Sequence, residues 1–178
     1  MLDHKTDRSS IPRPLQRLKE VLFKRQTLIN ELNFTYRRLL RLLPAIIKRV
    51  EGEPVAMTLR AQDGMNEMIR SRLGQVATAH GLPPEACTCE EAEVMVENVR
   101  HADRAARTRT DRSAAVLEAL IGVRAFLIRA WDKLIGNLMP SDQEDLRKEA
   151  QALQTREAEL HRELISLAQQ GDRPREAG

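Results

Sequence analysis

Residues 15–50 read LQRLKEVLFKRQTLINELNFTYRRLLRLLPAIIKRV. Leu15, Leu22, Ile29, Tyr36, Leu43 and Val50 recur every seven residues, with Leu18, Leu32, Leu39 and Ile46 between them. Apolar residues at alternating spacings of three and four line one face of an α-helix, and a seam kept this long marks a helix that packs along most of its length. Arg25 is the one charge on the seam. Pro12 and Pro14 suit the first turn of such a helix, and Pro44 predicts a kink near its end. Gly52 and Pro54 predict a tight turn after it.

Three more helical patterns follow. The second runs from Pro54 to His80 on a seam of Gln62, Met65, Ile69, Leu73 and Val76, and ends at Gly81 and Pro83-Pro84. The third carries Leu117, Leu120, Arg124, Leu127, Trp131, Leu134 and Leu138 and ends at Pro140. The fourth shows Leu146, Ala150, Leu153, Glu157, Leu160, Leu164 and Leu167, behind a capping box at Ser141-Asp142-Gln143-Glu144. Between the two pairs, Thr88-Cys89-Glu90-Glu91 predicts a capping box that opens a short helix to about Ala102, and an Arg-rich stretch to Arg112 leads onward as a solvated linker. No sustained alternation of period two predicts a strand. Short turns within each pair require antiparallel neighbours, and the long link allows one crossover. The expectation is an all-α four-helix bundle with a long crossover that carries a short extra helix.

Composition agrees with one globular domain: 178 residues, 42% hydrophobic and 31% charged. The domain is expected over 11–170, with a disordered tail at 1–10 and a frayed one at 171–178. No apolar run is long enough for a membrane span, and the polar start lacks a signal-peptide core, so a cytoplasmic location and no membrane partner are expected. Residues 1–50 hold 12 Lys/Arg against 4 Asp/Glu, whereas residues 83–99 hold five Glu and no base. Only five residues are aromatic, which argues against stacking on nucleic-acid bases.

The order and spacing of several short pieces resemble the bacterial YciE/YciF-type ferritin-like proteins, a stress-associated group. The pieces are Leu39-Leu40 and Leu43-Pro44; Leu73, Val76 and Gly81; Cys89 and Met95; Val123, Phe126, Ile128, Ala130 and Trp131; and Leu164, Leu167 and Ala168. The resemblance covers roughly residues 25–170 and implies a ferritin-like bundle around two metal ions. Such a centre needs inward carboxylates from all four helices and Glu-x-x-His from two of them. No Glu-x-x-His occurs in this chain. Against the family pattern, Tyr36 stands at a carboxylate position in helix one, Gln62, Met65 and Ile69 in helix two, and Arg124, Ala125, Phe126 and Leu127 in helix three. Tyr36, Met65, Ile69, Arg124, Leu127 and Glu157 thus form the core of the former site, and Glu157 and His161 remain as residual metal candidates. A guanidinium repels a cation and does not lose its proton.

Arg124 lies 16 residues before Pro140 and Glu157 lies 17 after it, so a hairpin sets them at nearly the same height. Either the two pair, with Tyr36 donating a hydrogen bond, or Arg124 reaches outward along its methylenes. Cys87 and Cys89 lie between His80 and His101, a formal zinc set with a shorter Cys-x-Cys spacing than usual, and ordinary loop and cap residues are the plainer reading. Glu31, Glu67 and Glu118 fall off their seams and read as solvated carboxylates. The connector arginines Arg100, Arg104, Arg107, Arg109 and Arg112 read as a solvated linker or as an anion or acidic-partner site.

The reading that follows is a non-enzymatic interaction or structural protein with no cofactor and no small-molecule substrate. It is expected to form a homodimer or to bind another protein through Leu15, Leu18, Leu22 and Phe23 on the overhang of the long first helix. Two alternatives stay open: a metal-dependent oxidoreductase or metal-binding protein with a residual site, and a nucleic-acid-associated helical bundle.

Overall fold

The computed structural model describes residues 13–138 and 144–171. Pro12, the stop at Pro140, most of the capping box that follows it and the N-terminal tail lie outside the described residues, as do the last seven positions. Five helices follow in order: α1 (Arg13–Ile47), α2 (Glu53–Ala79), α3 (Glu90–Ala105), α4 (Arg109–Asn137) and α5 (Glu144–Gly171). No strand occurs among the described residues, and no helix there is long and apolar enough to cross a membrane.

Four of the helices form a square bundle in which α1 packs on α2 and α4, and α5 on α2 and α4. Cross-links fix their directions. Near one end Arg25 Nε donates to the Asn137 carbonyl (2.7 Å), so the start of α1 meets the end of α4. At the other end the Glu51 amide donates to Ser113 Oγ (2.8 Å), so the end of α1 meets the start of α4. Arg72 on α2 holds Glu149 on α5 (2.6 Å), and Gln62 holds the Leu160 carbonyl (2.9 Å), which makes that pair antiparallel too. Because α2 and α4 rise in the same direction, the chain must return the full length of the bundle between them. The 80–89 segment and α3 make that return, with α3 packed on α1 and α4. The core is continuous from Leu28 to Leu164 and includes Ile29, Leu32, Leu39, Leu43 and Ile46 of the α1 seam.

Local chemistry sets the boundaries. Gly52, at φ 85°, turns the chain into α2, where Pro54 occupies the first turn. At the other end of α2, Gly81 takes φ 71°; its amide reaches the Thr78 carbonyl (3.0 Å) and the Leu82 amide reaches that of Ala77 (2.9 Å). This is a Schellman cap, closed by the apolar contact of buried Leu82 and Ala77. Pro44 lies within the last turn of α1.

Two expected boundaries differ. The N-cap of α3 is Cys89, with no side-chain cap bond, rather than Thr88 of a capping box. The thiol satisfies the cap position poorly, so three acids in the first turn, Glu90, Glu91 and Glu93, carry the favourable interaction with the helix dipole. The Arg-rich stretch is also not all linker. Thr108 Oγ1 accepts from the Asp111 amide (3.0 Å), which starts α4 at Arg109 and leaves only residues 106–108 as the link.

The link is held by a buried acid. Asp103, 1% exposed, pairs with Arg49 in the turn after α1 and lies 3.5 Å from Arg112 of α4. Arg112 Nε also donates to the Asp103 carbonyl (3.0 Å), and its Nη atoms reach the carbonyls of Arg49 (3.4 Å) and Ala106 (3.5 Å). Three helix ends therefore converge on one carboxylate. Replacing Asp103 by Asn removes its charge, keeps its shape and leaves two arginines facing a neutral amide; the expected cost is about 1–3 kcal/mol, between that of an exposed and a fully buried ion pair. The matching change Glu97→Gln on a half-exposed pair should cost no more than about 1 kcal/mol. Urea unfolding of both variants checks this, and equal losses would remove Asp103 as the tie.

Candidate functional site at the bundle centre

Apart from Arg25 at the end of the bundle, the charged and hydrogen-bonded groups on the inward faces of α1, α2, α4 and α5 gather at one level, where each helix contributes polar groups. On α4, Arg124 falls between Leu120 and Leu127, and helical spacing turns it inward with them. On α5, Glu157 sits between Leu153 and Leu160. Both side chains are fully buried. Arg124 Nη1 lies 3.0 Å from Glu157 Oε1 and 3.2 Å from Oε2, and also donates to Asn66 Oδ1 at 2.8 Å. Its Nη2 donates to Gln62 Oε1 (3.1 Å), and Gln62 Nε2 passes the chain of bonds to the Leu160 carbonyl (2.9 Å). From the other side, the Tyr36 hydroxyl of α1 donates to Glu157 Oε2 (2.7 Å) and accepts from Trp131 Nε1 (3.0 Å).

The electrostatics follow from burial. One guanidinium and one carboxylate cancel, and the remaining groups are neutral, so the network carries no net charge. Burial, and then the neighbouring Glu157 carboxylate, push the Tyr36 phenol well above its usual range. The hydroxyl therefore remains a donor wherever the fold persists. Arg124 Nε and Asn66 Nδ2 are the buried atoms of the network left without a partner.

Of the residues named from sequence, Tyr36, Arg124 and Glu157 meet in this network, and Ile69 and Leu127 are buried in the same core. Met65 does not reach the centre: it is half-buried at the edge, and Asn66, the next residue, points in instead. The inward face of α2 runs through Leu59, Gln62, Asn66 and Ile69, so its phase is shifted from the seam expected through Met65. His161 is half-buried, and no hydrogen bond joins it to the network. Gln62, expected on the seam, faces inward; Asn66 is concealed by its polarity, since an amide on an amphipathic helix reads as solvent-facing.

The remaining candidates lie elsewhere. Cys87 and Cys89 are free, half-buried thiols, both raised by burial. No group of three or more His, Cys, Asp or Glu able to hold a metal forms among the described residues. Glu67 and Glu118 are exposed, but Glu31 is half-buried, and burial raises its carboxyl against the pull of Lys133. The solvated reading of Glu31 is thus corrected: it lies off the seam yet half-buried, close enough to Cys87 and Cys89 for its charge to raise both thiols. Leu15, Leu18, Leu22 and Phe23 are exposed on the α1 overhang, Phe23 by 74%.

A centre for two metal cations does not fit these residues. Glu157 is the one carboxylate present, and it is already neutralised by Arg124 and bonded to Tyr36; the amides and the phenol supply no further negative charge. No reaction step is derived through such a centre.

No family model matches the chain, and no curated protein matches it in sequence. In fold it is similar to YcfI from Rhodopseudomonas palustris, provisionally named a structural protein, with a TM-score of 0.76 at 15% identity, covering 88% of this chain and 98% of that one. It is also similar to the crystal structure of the E. coli stress protein YciF, with a TM-score of 0.73 at 19% identity, covering 82% of this chain and 94% of that one. The fold is that of YciF. The likeness spans nearly the full length of both YciF and YcfI, crossover included, and makes the chain an all-α ferritin-like bundle.

Two outcomes test the network. Arg124→Met and Glu157→Leu should each cost about 3–5 kcal/mol, because each leaves a buried charge alone, and the double variant should cost far less than their sum. Strict additivity in chemical unfolding would falsify the coupling. Tyr36, the only tyrosine in the chain, reports separately. Its folded phenol is raised above the unfolded value of about 10, so its contribution is complete below that pH and declines as pH rises further. Tyrosinate absorbance should therefore appear together with loss of helix, and ionisation within an intact fold would contradict the assigned environment.

Proposed function

We propose that this chain is a non-enzymatic structural or interaction protein of the YciF type, acting in the cytoplasm in association with stress, in which an ion pair stands where the resemblance implies a centre for two metal ions. The observation that supports this reading most is the donor set of the buried centre. Arg124 and Glu157 neutralise each other, Tyr36, Gln62 and Asn66 take up most of their remaining bonding capacity, and Trp131 holds the Tyr36 hydroxyl in place. A cation entering there must displace a guanidinium that cannot be deprotonated. With the centre closed, the surface carries the function. The α1 overhang presents Leu15, Leu18, Leu22 and Phe23 beyond the point where Arg25 ties α1 to the end of α4. We propose that a second copy of the chain or a protein partner covers this apolar stripe.

Native-purified protein assayed by elemental analysis should carry far less than one iron or manganese per chain, and incubation with ferrous iron should leave the tryptophan fluorescence of Trp131 unchanged. Stoichiometric metal that is lost in Glu157→Gln would restore the metal-dependent oxidoreductase reading. Association is measured independently by light scattering of the wild type and of Leu18→Glu. A dimer that dissociates in the variant is expected. A wild-type monomer leaves only the second arm, capture of a partner that Leu18→Glu abolishes; absence of both defeats the overhang reading without touching the metal result.

A further inference from the structure

The arginines of the 100–112 stretch divide into two groups. Arg100 is paired with Glu97, and Arg112 is turned inward onto Asp103 and three carbonyls. Arg104 on the last turn of α3, Arg107 in the link and Arg109 at the start of α4 are exposed, and none makes a side-chain hydrogen bond or ion pair among the described residues. Lys48, beside Arg49 at the end of α1, is exposed and unpaired in the same sense. The Asp103 tie gathers these four cations at one end of the bundle, because it joins Arg49, Asp103 and Arg112, each within six residues of all its neighbours in the group on its own helix or link. The exposed acids of that corner are Asp111, Glu51, which accepts from Thr110, and Glu53 at the start of α2, which is paired with Arg60. Asp103 adds no free charge, since Arg49 and Arg112 neutralise it.

We infer that this corner binds the phosphate backbone of a nucleic-acid duplex, without reading its sequence. Planar guanidinium forks suit phosphate oxygens, and three exposed on consecutive elements offer separate contacts. The corner lacks what other polyanions would use. The large apolar side chains exposed on the described residues are Leu15, Leu18, Leu22 and Phe23 at the opposite end of α1, Met57 and Met68 on α2, and Val94 near the start of α3. A protein interface wants an apolar centre and a bilayer wants an inserting side chain, and neither is present where α3 meets α4. No Phe, Tyr or Trp lies in 100–112, and the single imidazole of His101 makes no platform for successive single-stranded bases. Phosphate contacts made by cations alone position a duplex and carry no sequence information.

The test is fluorescence anisotropy of the full chain with a short labelled DNA duplex in two unrelated sequences, over a salt series. Both sequences should bind alike, with log affinity falling linearly against log salt. Arg104→Ala with Arg107→Ala and Arg109→Ala should weaken binding at least about tenfold at low salt and flatten the slope by roughly 2–3, at about 0.9 per lost phosphate contact. The three side chains make no bond in the fold, so circular dichroism of the variant should match the wild type; Arg107→Glu alone, in the exposed link, repeats the test with one change. The overhang variant Arg17→Ala with Lys19→Ala and Lys24→Ala should bind as the wild type does. Absence of binding at the lowest salt, equal affinity of the corner variants, or equal binding to polyglutamate or to anionic vesicles overturns the assignment.

Discussion

A fully buried guanidinium governs the interior of this bundle. Arg124 cannot shed its charge, and a lone cation in a packed core is too costly to persist. Its neighbours are therefore dictated: a carboxylate at the same height on α5, and amide oxygens from α2 aimed at its two Nη groups. Glu157 in turn has lone pairs that Arg124 does not fill, and Tyr36 of α1 supplies the hydrogen bond. Trp131, two turns beyond Arg124 on α4, completes the ring by donating to the Tyr36 oxygen. All four bundle helices are thus represented at one level. Sliding any helix by a turn would separate charges in a low-dielectric interior, whereas sliding a leucine seam past another leucine seam would exchange similar contacts. The network specifies register more than it adds stability, in keeping with the general weakness of buried ion pairs as net stabilisers.

The ends of the bundle are secured differently. There, backbone groups that helices leave unpaired are taken up by side chains from other helices. Arg25 takes the Asn137 carbonyl at one end, while Asn30 Oδ1 receives the Glu85 amide (2.8 Å) and Gln26 reaches the Pro83 carbonyl (2.8 Å), which fixes the start of the crossover. Arg112 takes three carbonyls at the other end. The crossover is consequently held at both extremities and, along its length, by Arg38 of α1 against Glu93 and Glu97 of α3. This division explains why Arg25, the one charge on the α1 seam, is compatible with a packed helix: it lies where the core ends and carbonyls begin.

Most of this architecture is legible in the sequence because the heptads of α1, α4 and α5 are long and their interruptions few. Two charges at equal distance from one hairpin can be matched by counting, and Tyr36 stands on the same seam as the leucines around it. Helix α2 is less legible. Its apolar residues are sparse, Met65 and Met68 lie on its outer half, and the inward positions at its middle are Gln62 and Asn66. A pattern rule that equates polar with exposed must choose Met65 over Asn66 there. The same rule placed Glu31 in solvent, because it lies off the seam. At α4 the start signal Thr108-x-x-Asp111 is present but embedded in arginines, which read as linker; at α3 the Thr88 signal is present but one residue early, and Cys89 takes the cap without a side-chain bond.

Charge balance links the closed centre to the exposed surface. A site for two divalent cations requires an excess of carboxylates, which would repel one another without the metal. A centre of one guanidinium, one carboxylate and neutral hydrogen-bonding groups balances its charge without any ion. The same neutrality leaves no reactive group exposed at the centre: Tyr36 holds its proton, Glu157 is bonded at both oxygens, and no opening reaches them, since every member of the network is buried. Chemistry on a substrate would need access that these side chains deny. What the scaffold offers to solvent is instead a rigid arrangement of helix ends, in which the carboxylate of Asp103 is consumed internally while the arginines around it face outward. Selectivity for a partner can then reside in surface residues that the core does not constrain, and those are the positions where charge can change without disturbing Arg124 and its ring of partners.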